Sequence, residues 1–406
     1  MKTFIKSNLV RIGHGLSIGD LRALAQHEPE NFVHKIQQGA DDGHLKLENL
    51  KDLRSLYHGL ADVEVPVLMT MPGGIQRSVT TSAFPILTGT ATIAQVNDAY
   101  QAVETVGQDL CTDFDDNKKV TTMVSVNTMD SQVDEVKEKG DFPEIGVDEE
   151  KVEIRHRKNG RKITFSLESI LENDLPDIVA RTNALGEIAA EWIEEQTLKR
   201  VTDYDGSQTT PAEPYVYRPA GTGTALFSAT ANTPGTRAPS GNRINTNPFV
   251  DETDLENCRV RMGTMLNSRG KRIMIPRSLV QILCPDAIVG TVMKVLNSEY
   301  VPGVENEKSN WGPAGKWNIP AERVVSTTKL DDLSAATWYY GAFKKQFKRK
   351  WKMRFEYVTL GENTQAYLNS QIAFQARLAW DVEIGAVDYV YVIQNLSATT
   401  SPADGG

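Results

Sequence analysis

The chain has 406 residues, 40% of them apolar and 24% charged, enough to bury a sizeable core in two or more folded units and too apolar to stay disordered. A net charge of −9 argues against a dedicated nucleic-acid binder, whose affinity comes from cationic contacts to phosphate, so any DNA nearby is contained rather than gripped. The three cysteines, Cys111, Cys258 and Cys284, are odd in number and far apart; they imply neither a disulfide framework nor a zinc knuckle and suit a reducing cytoplasm.

Residues 1–15 mix charged and apolar residues without a signal-peptide core, and no later run is long enough to span a bilayer. Residues 17–60 read as short helices. Ser17 with Asp20 three positions on forms a capping-box start, Pro29 opens a second helix ending near Gly39, and Leu47, Leu50, Leu53, Leu56 and Leu60 stripe a third. Val63 to Met71 is strand-like and broken by Pro66 and Pro72, and Ala91 to Val106 has helical spacing.

Val120 to Val126 and Glu150 to Phe165 read as strands, the second with a hairpin signal at Asn159-Gly160. Between them lies an acidic tract that includes Asp134, Glu135, Glu138, Asp141, Glu144 and Asp148, followed at once by Arg155, Arg157, Lys158, Arg161 and Lys162. So much charge cannot fill a core. It is either a solvated polar hairpin or an arm whose charges meet complementary charges on a neighbouring copy.

The most informative stretch runs from Leu171 to Arg200. Leu175, Ile178, Leu185, Ile188, Ala189, Trp192 and Ile193 recur three or four apart, which puts one apolar stripe on one face of a long helix. Asn173 or Asp174 is the expected N-cap, Pro176 sits in the tolerant first turn, and Asp203 to Gly206 supplies the stop. Glu187, Glu191, Glu194, Glu195 and Lys199 mark the opposite face, which reads as solvated.

Thr209 to Phe249 turns to Thr, Pro, Gly, Ser and Asn, as a long surface excursion does. Helical and strand-like pieces then alternate through Asp254 to Leu266, Arg272 to Ile275 and Ser278 to Asn297. A second Gly, Pro and Trp-rich loop spans Tyr300 to Pro320. Strands fill Thr337 to Phe343, Lys350 to Thr359 and Ile372 to Ile393, and Ser397 to Gly406 is a small polar tail. No internal repeat is visible.

Tests for chemistry fail in turn. Gly15-Leu16-Ser17-Ile18-Gly19 matches the nucleophile-elbow pattern, but only fourteen residues precede Gly15 and leave no room for a hydrolase sheet, so Ser17 is a helix cap. Asp113, Asp115 and Asn117 begin a calcium loop that Lys118 and Val124 break, and the histidines His14, His27, His34, His44 and His58 lack metal spacing. Gly221-Thr222-Gly223 lacks the third glycine of a dinucleotide site. Asn395-Leu396-Ser397 is a chance glycosylation triplet. No cofactor, metal or catalytic residue is expected. Lys344, Lys345, Lys348, Arg349, Lys350, Lys352 and Arg354 interleave with Phe343, Phe347, Trp351 and Phe355. This strip is either an amphipathic strand pair with a solvated cationic face, the favoured reading, or a receiver for an acidic segment or an enclosed polyanion.

Several phrases, in this order, resemble tailed-phage major capsid proteins of the Hong Kong 97 fold, of the Mu-like kind. They are Lys162 to Asp174 with Leu185-Gly186 and Ala189-Ala190, then Ala225 to Ser228 with Asn232, Arg272 to Leu279, and Ala373-Phe374 through Gly385 to Tyr389. The likeness runs from about Phe84 to Leu396. It implies an α+β fold with an N-terminal arm, an extended β-hairpin loop, a peripheral domain with a long spine helix, and an axial domain. The implied layout is a helical extension over 1–65, the arm over 66–117 and the loop over 118–166. The peripheral domain then takes 167–285 and 355–396, the axial domain 286–354 and the tail 397–406. Residues 1–65 lie outside the likeness and are expected to clasp an adjacent subunit.

The implied function is a non-enzymatic shell protein that gathers as pentamers and hexamers into an icosahedral head around double-stranded DNA. It would be found in the virion after assembly in the host cytoplasm, with no membrane contact. The implied partners are the chain itself, portal and scaffold proteins, and a decoration protein. The chain begins at Met1, so a separate scaffold is expected rather than a cleaved N-terminal one, and no lysine–asparagine crosslinking pair can be aligned. Expected inter-subunit contacts are Glu135, Glu138, Asp141, Glu144, Arg155, Arg157, Lys158, Arg161, Lys345, Lys348 and Lys350. An encapsulin-like compartment, a scaffold or tail component, and a hydrolase using Ser17 or the Glu-rich helix are the competing readings.

Overall fold

The computed structural model describes residues 11–12, 16–42, 45, 53–70, 76–124, 151–155, 157–172, 175–203, 216–217, 226–230, 237–267, 270–297, 319–360 and 372–397. Two units emerge from the contacts: the first comprises Met1–Thr105, Lys158–Ile193 and Met353–Asp381, and the second comprises Val106–Arg157, Glu194–Lys352 and Val382–Gly406.

Strands β1 (Arg11–Ile12) and β2 (Leu16–Ser17) pair antiparallel and deliver the chain to α1 (Ile18–His27). The expected capping box closes: the Asp20 amide donates to Ser17 Oγ at 3.2 Å, and the Ser17 amide donates to Asp20 Oδ2 at 3.0 Å. Ser17 Oγ gives its own proton to Asp20 Oδ2 at 2.8 Å, which uses the hydroxyl as a cap and not as a nucleophile. Pro29 opens α2 (Pro29–Asp41), where its missing N–H is harmless, and α3 (Leu53–Leu60) turns Leu53, Leu56 and Leu60 inward. The stripe positions Leu47 and Leu50 lie outside the described residues.

Next, β3 (Glu64–Thr70) and β4 (Gln76–Ser82) form an antiparallel ribbon. Pro66 does not break β3 as expected; it stands opposite Thr80, because a strand in a two-stranded ribbon has an unpaired side where the absent N–H does no harm. The polar β4 carries no alternation that sequence reading could detect. Helix α4 (Ala83–Ala102) starts eight residues before the sequence spacing suggests and is buried almost all round at its start, with Pro85 in the tolerant first turn.

Short α5 (Gly107–Leu110) leads to β5 (Thr112–Asp115), then to β6 (Val120–Val124) and β7 (Lys151–Arg155), which pair antiparallel and bury Val152 and Ile154. Strand β8 (Lys158–Ser166) contradicts the hairpin expectation. Asn159 and Gly160 lie within it, opposite Trp380 and Ala379, and a Cβ on Gly160 would stand 2.7 Å from the Leu378 carbonyl oxygen. The glycine serves close backbone approach between strands, not a turn.

Helix α6 (Leu167–Leu171), capped by Ser166, precedes α7 (Leu175–Thr202), whose 28 residues span about 42 Å at 1.5 Å per residue. The candidate caps Asn173 and Asp174 lie outside the described residues. In the first unit α7 buries Ile178, Leu185, Ala189, Ala190 and Ile193, while Ile188 is 46% exposed, off the expected stripe. Its Gly186 meets α4 so closely that a Cβ would lie 2.4 Å from the Val96 carbonyl oxygen and 2.9 Å from Ala99 Cβ. At the C-terminus Asp203 takes φ 47°, the left-handed conformation that ends helices, and its Oδ2 accepts from the Leu226 amide.

The second unit is built on a five-stranded sheet. Strand β9 (Val216–Tyr217) extends the β6–β7 pair, while β10 (Arg243–Ile244) edges the main sheet. Helix α8 (Glu252–Met262), β11 (Gln281–Pro285), α9 (Asp286–Asn297), β12 (Val324–Thr327), α10 (Lys329–Leu333), β13 (Trp338–Gly341) and α11 (Phe343–Gln346) follow. Then come β14 (Phe347–Leu360), β15 (Ile372–Ala386) and β16 (Val392–Asn395), and the sheet order is β10-β16-β13-β11-β12. Arg272 to Ile275 is not a strand of this sheet and makes only a bridge from Arg272 to Leu266. The uniform burial of β13 and β16 suits a sheet covered on both faces. Asn242, wholly buried, locks the Thr/Gly/Pro-rich excursion: it donates to the Leu226 and Tyr389 carbonyls at 2.9 and 2.8 Å and accepts from the Ser228 amide at 2.8 Å.

Because α4 and α7 touch through Gly186, Gly186→Val should lower the unfolding free energy by about 1–3 kcal/mol as overpacked cores do. Urea titration checks this, and an unchanged midpoint would refute the close crossing.

Candidate inter-subunit surface

Strip residues 343–354 divide by burial rather than presenting one solvated cationic face. Phe343, Phe347 and Trp351 are buried, so they offer no stacking platform for bases. Lys344 and Lys345 are exposed, and Lys345 Nζ sits 5.4 Å from the Tyr391 ring centroid. Lys348 is half-buried with Nζ donating to the Lys344 carbonyl at 3.0 Å, and burial lowers its pKa from the ordinary lysine value. Lys350 corrects the expectation of an available contact: it is 1% exposed and Nζ donates to the Lys118 carbonyl at 2.6 Å, within its own chain.

Arg349 is also buried and makes a two-pronged pair with Asp113, Nε to Oδ1 at 2.6 Å and Nη2 to Oδ2 at 2.8 Å. Strand β5 is therefore registered on β14 by charge as well as by its parallel ladder, Asp113 standing opposite Arg349. This is the use of the carboxylate that a calcium-loop reading would have spent on metal. Among the described residues no cluster of ligating side chains is disposed to hold a metal, and no helix is long and apolar enough to cross a membrane.

Glu194 corrects the reading of the acidic face of α7 as uniformly solvated. It is 4% exposed and accepts from the Val106 and Gly107 amides at 3.0 and 3.1 Å, the start of α5. A Cβ on Gly107 would lie 3.0 Å from Arg349 Nη1 and 3.2 Å from Glu194 Oε2, so glycine is what lets the backbone approach both charges. Desolvation raises the Glu194 pKa, opposed by the two amides and by Arg349. Burial likewise lifts the Cys111 thiol to about 12, and all three cysteines are buried free thiols. Nothing in the sequence spacing marked Glu194 out from Glu191 and Glu195, which are exposed.

On the charged strands, Arg155 is exposed and pairs with Glu153 at 3.5 Å; Lys158 and Arg161 are exposed on β8, and Arg157 is half-buried. Glu135, Glu138, Asp141 and Glu144 lie outside the described residues. Lys344 and Lys345 of the second unit and Lys158 and Arg161 of the first are exposed cations, while the aromatics Phe343, Phe347 and Trp351 are buried.

Residues 149–395 match the model of a phage capsid protein family. The chain belongs to the phage capsid protein family. Its architecture mixes helices and sheets, with a charged strand pair ahead of a 28-residue helix, and the family makes the protein a phage capsid protein.

Solved structures similar to it include a virus-like particle from Pyrococcus furiosus, at 8% identity and TM-score 0.42, covering 75% of this chain and 97% of that one. Another is the capsid of cyanophage P-SCSP1u, at 13% identity and TM-score 0.44, covering 73% and 89%. The procapsid of bacteriophage JBD30 shares 8% identity at TM-score 0.40, covering 76% and 73%. No curated protein sequence matches the chain.

Folded Glu194 binds its proton more tightly than unfolded Glu194, whose ordinary value is 4.5. Its ionisation therefore lowers stability as pH rises through the window just above 4.5, and the handicap is absent below it. The difference in unfolding free energy between wild type and Glu194→Gln should change across that window and be level at higher pH. A difference independent of pH there would overturn the assignment.

Proposed function

We propose that this capsid protein works by geometry and burial, without catalysis, as a Mu-like head subunit. Copies gather as pentamers and hexamers, and the closed shell holds double-stranded DNA without reading its sequence. Residues 118–166 serve as the extended loop, 167–285 with 355–396 as the peripheral domain, and 286–354 as the axial domain. Assembly takes place in the host cytoplasm with portal and scaffold proteins, and the product is the virion.

The family match over 149–395 carries this reading. Charge placement supports it: Lys158, Arg161 and Lys345 are exposed on strand or helix positions. Glu135, Glu138, Asp141 and Glu144 are the complementary charges of the same chain. Such pairs fix register and exclude wrong partners more than they add raw affinity.

Electron microscopy of the purified chain, with nuclease-protected nucleic acid measured in the same particles, tests the proposal. Isometric shells holding double-stranded DNA support it; shells holding a protein cargo instead indicate a compartment, tubes a tail component, and free monomers neither. Lys345→Glu with Lys348→Glu should lower particle yield at an unchanged monomer melting temperature. Lys350→Glu should lower the melting temperature itself, because it would bury an unpaired carboxylate. Unchanged particle yield and DNA content in the Lys345/Lys348 variant would discard the role of these lysines.

A further inference from the structure

From 257 to 285 the second unit carries six cations, Arg259, Arg261, Arg269, Lys271, Arg272 and Arg277, and no acid, in a chain whose net charge is −9. In the strip 343–354 the fold withdraws Arg349 and Lys350 into the protein; here it turns charge outward. Helix α8 ends at Met262, and a short hairpin follows, closed by the Ile273 amide donating to the Met265 carbonyl at 2.9 Å and turned by Gly270 at φ 75°. Ile273 and Ile275 pack against the core, so the alternation of an extended chain leaves Arg272 and Met274 outside. The chain then tightens into a 3-10 turn, Arg277–Leu279. A second such turn, Ala321–Arg323, is tied to the first, because Arg323 Nη1 donates to the Arg277 carbonyl at 3.2 Å.

Lys271, Arg272 and Arg277 are exposed, while Arg261 and Arg323 are half-buried. Arg259 stands within electrostatic reach of the Tyr340 hydroxyl, as Arg277 does, and Glu256 offsets its charge through a hydrogen bond from Arg259 Nε at 2.8 Å. Among the described residues of 257–279 and 321–323, five cations therefore face the one carboxylate of Glu322. The large apolar side chains exposed here are Met274, Leu279 and Val260, scattered over the helix, the hairpin and the turn and too few for the desolvated core of a protein interface. A phosphate backbone fits better. Guanidinium forks match phosphate oxygens, and cations spread over a helix end, a hairpin and two turns follow a repeated charge rather than one base.

We propose that this face of the second unit touches the phosphate backbone of the enclosed DNA and therefore lies toward the lumen. This deepens the shell reading, rests on its claim that the cargo is double-stranded DNA, and adds which surface meets it. The contact is sequence-independent and weak. A local patch draws phosphate near, while the negative charge of the whole chain opposes tight wrapping.

Titration of a short fluorescent duplex of arbitrary sequence with the full chain, held unassembled at low concentration, tests the patch. Lys271→Gln with Arg272→Gln and Arg277→Gln should weaken binding about tenfold or more at low salt. The slope of log affinity against log salt should fall by about two to three, since each lost phosphate contact removes about 0.9. Arg272→Gln alone should lower the slope by about one, which keeps the test decisive if the triple variant misfolds. Lys344→Gln with Lys345→Gln, exposed cations elsewhere on the unit, should bind as wild type does. No duplex binding by the wild type, full binding by the folded triple variant, or an equal loss in the Lys344/Lys345 variant would overturn the proposal.

Ultraviolet irradiation of DNA-filled particles, followed by nuclease and protease digestion, gives a second readout. Nucleotide adducts should appear on peptides from 257–279. Adducts confined to other segments would place this face away from the DNA and sink the inference. Particles that form without nuclease-protected DNA would instead sink the reading on which it rests.

Discussion

A guanidinium removed from water must find its counter-charge inside the protein, and Arg349 is the point in the second unit where that requirement organises everything around it. Its side chain is 5% exposed and gripped at both ends of its fork by Asp113. Glu194 stands close by, held on the Val106 and Gly107 amides. Removing one member of such a group strands the others in low dielectric, a loss of about 3–5 kcal/mol for fully buried pairs and less here because Asp113 keeps about a third of its exposure. Three separated stretches of sequence, around 107, 194 and 349, are thereby made to meet in one geometry. Hydrophobic burial alone would tolerate small slips among them; a bidentate ion pair does not.

Much of the fold was legible because local chemistry and tertiary outcome agree. The capping box at Ser17, the proline at the head of α2 and the apolar stripe of α7 each point to one structure, and that structure forms. Failures cluster where a residue type has two uses. Asn159-Gly160 is a turn signal when flanked by solvent but a close-approach site when a neighbouring strand presses on it, and only the partner strand β15 decides between them. Pro66 breaks a central strand yet is harmless in a ribbon with an open side. In both cases the deciding fact is the identity of a distant neighbour.

The charged surface was less legible than the core for the same reason. Glu191, Glu194 and Glu195 look alike in the sequence, and only the approach of Val106 and Gly107 withdraws the middle one from water. Lys345, Lys348 and Lys350 read as one strip, yet they are exposed, half-buried and buried. Lys345 lies on α11, and Lys348 and Lys350, two apart on β14, share a face that alternation alone cannot divide. What buries Lys350 is a distant neighbour, the Lys118 carbonyl that its ammonium reaches. Ser17 and Asp113 stand in motif-like settings in the sequence; in the structure Ser17 caps α1 and Asp113 holds Arg349.

For a chain that works in many copies, a surface that is mediocre alone is an advantage. Fully burying a methionine is worth about 1.5–3 kcal/mol, too little to hold two subunits together against lost translational freedom. A single exposed apolar side chain such as Met274 is therefore a weak contact on its own, and exposed cations add orientation more than strength. Once several such contacts form around one subunit, each later contact is intramolecular in effect and its effective concentration rises accordingly. Weak, directional, repeated contacts let misplaced subunits leave before the shell closes. One strong contact would trap them.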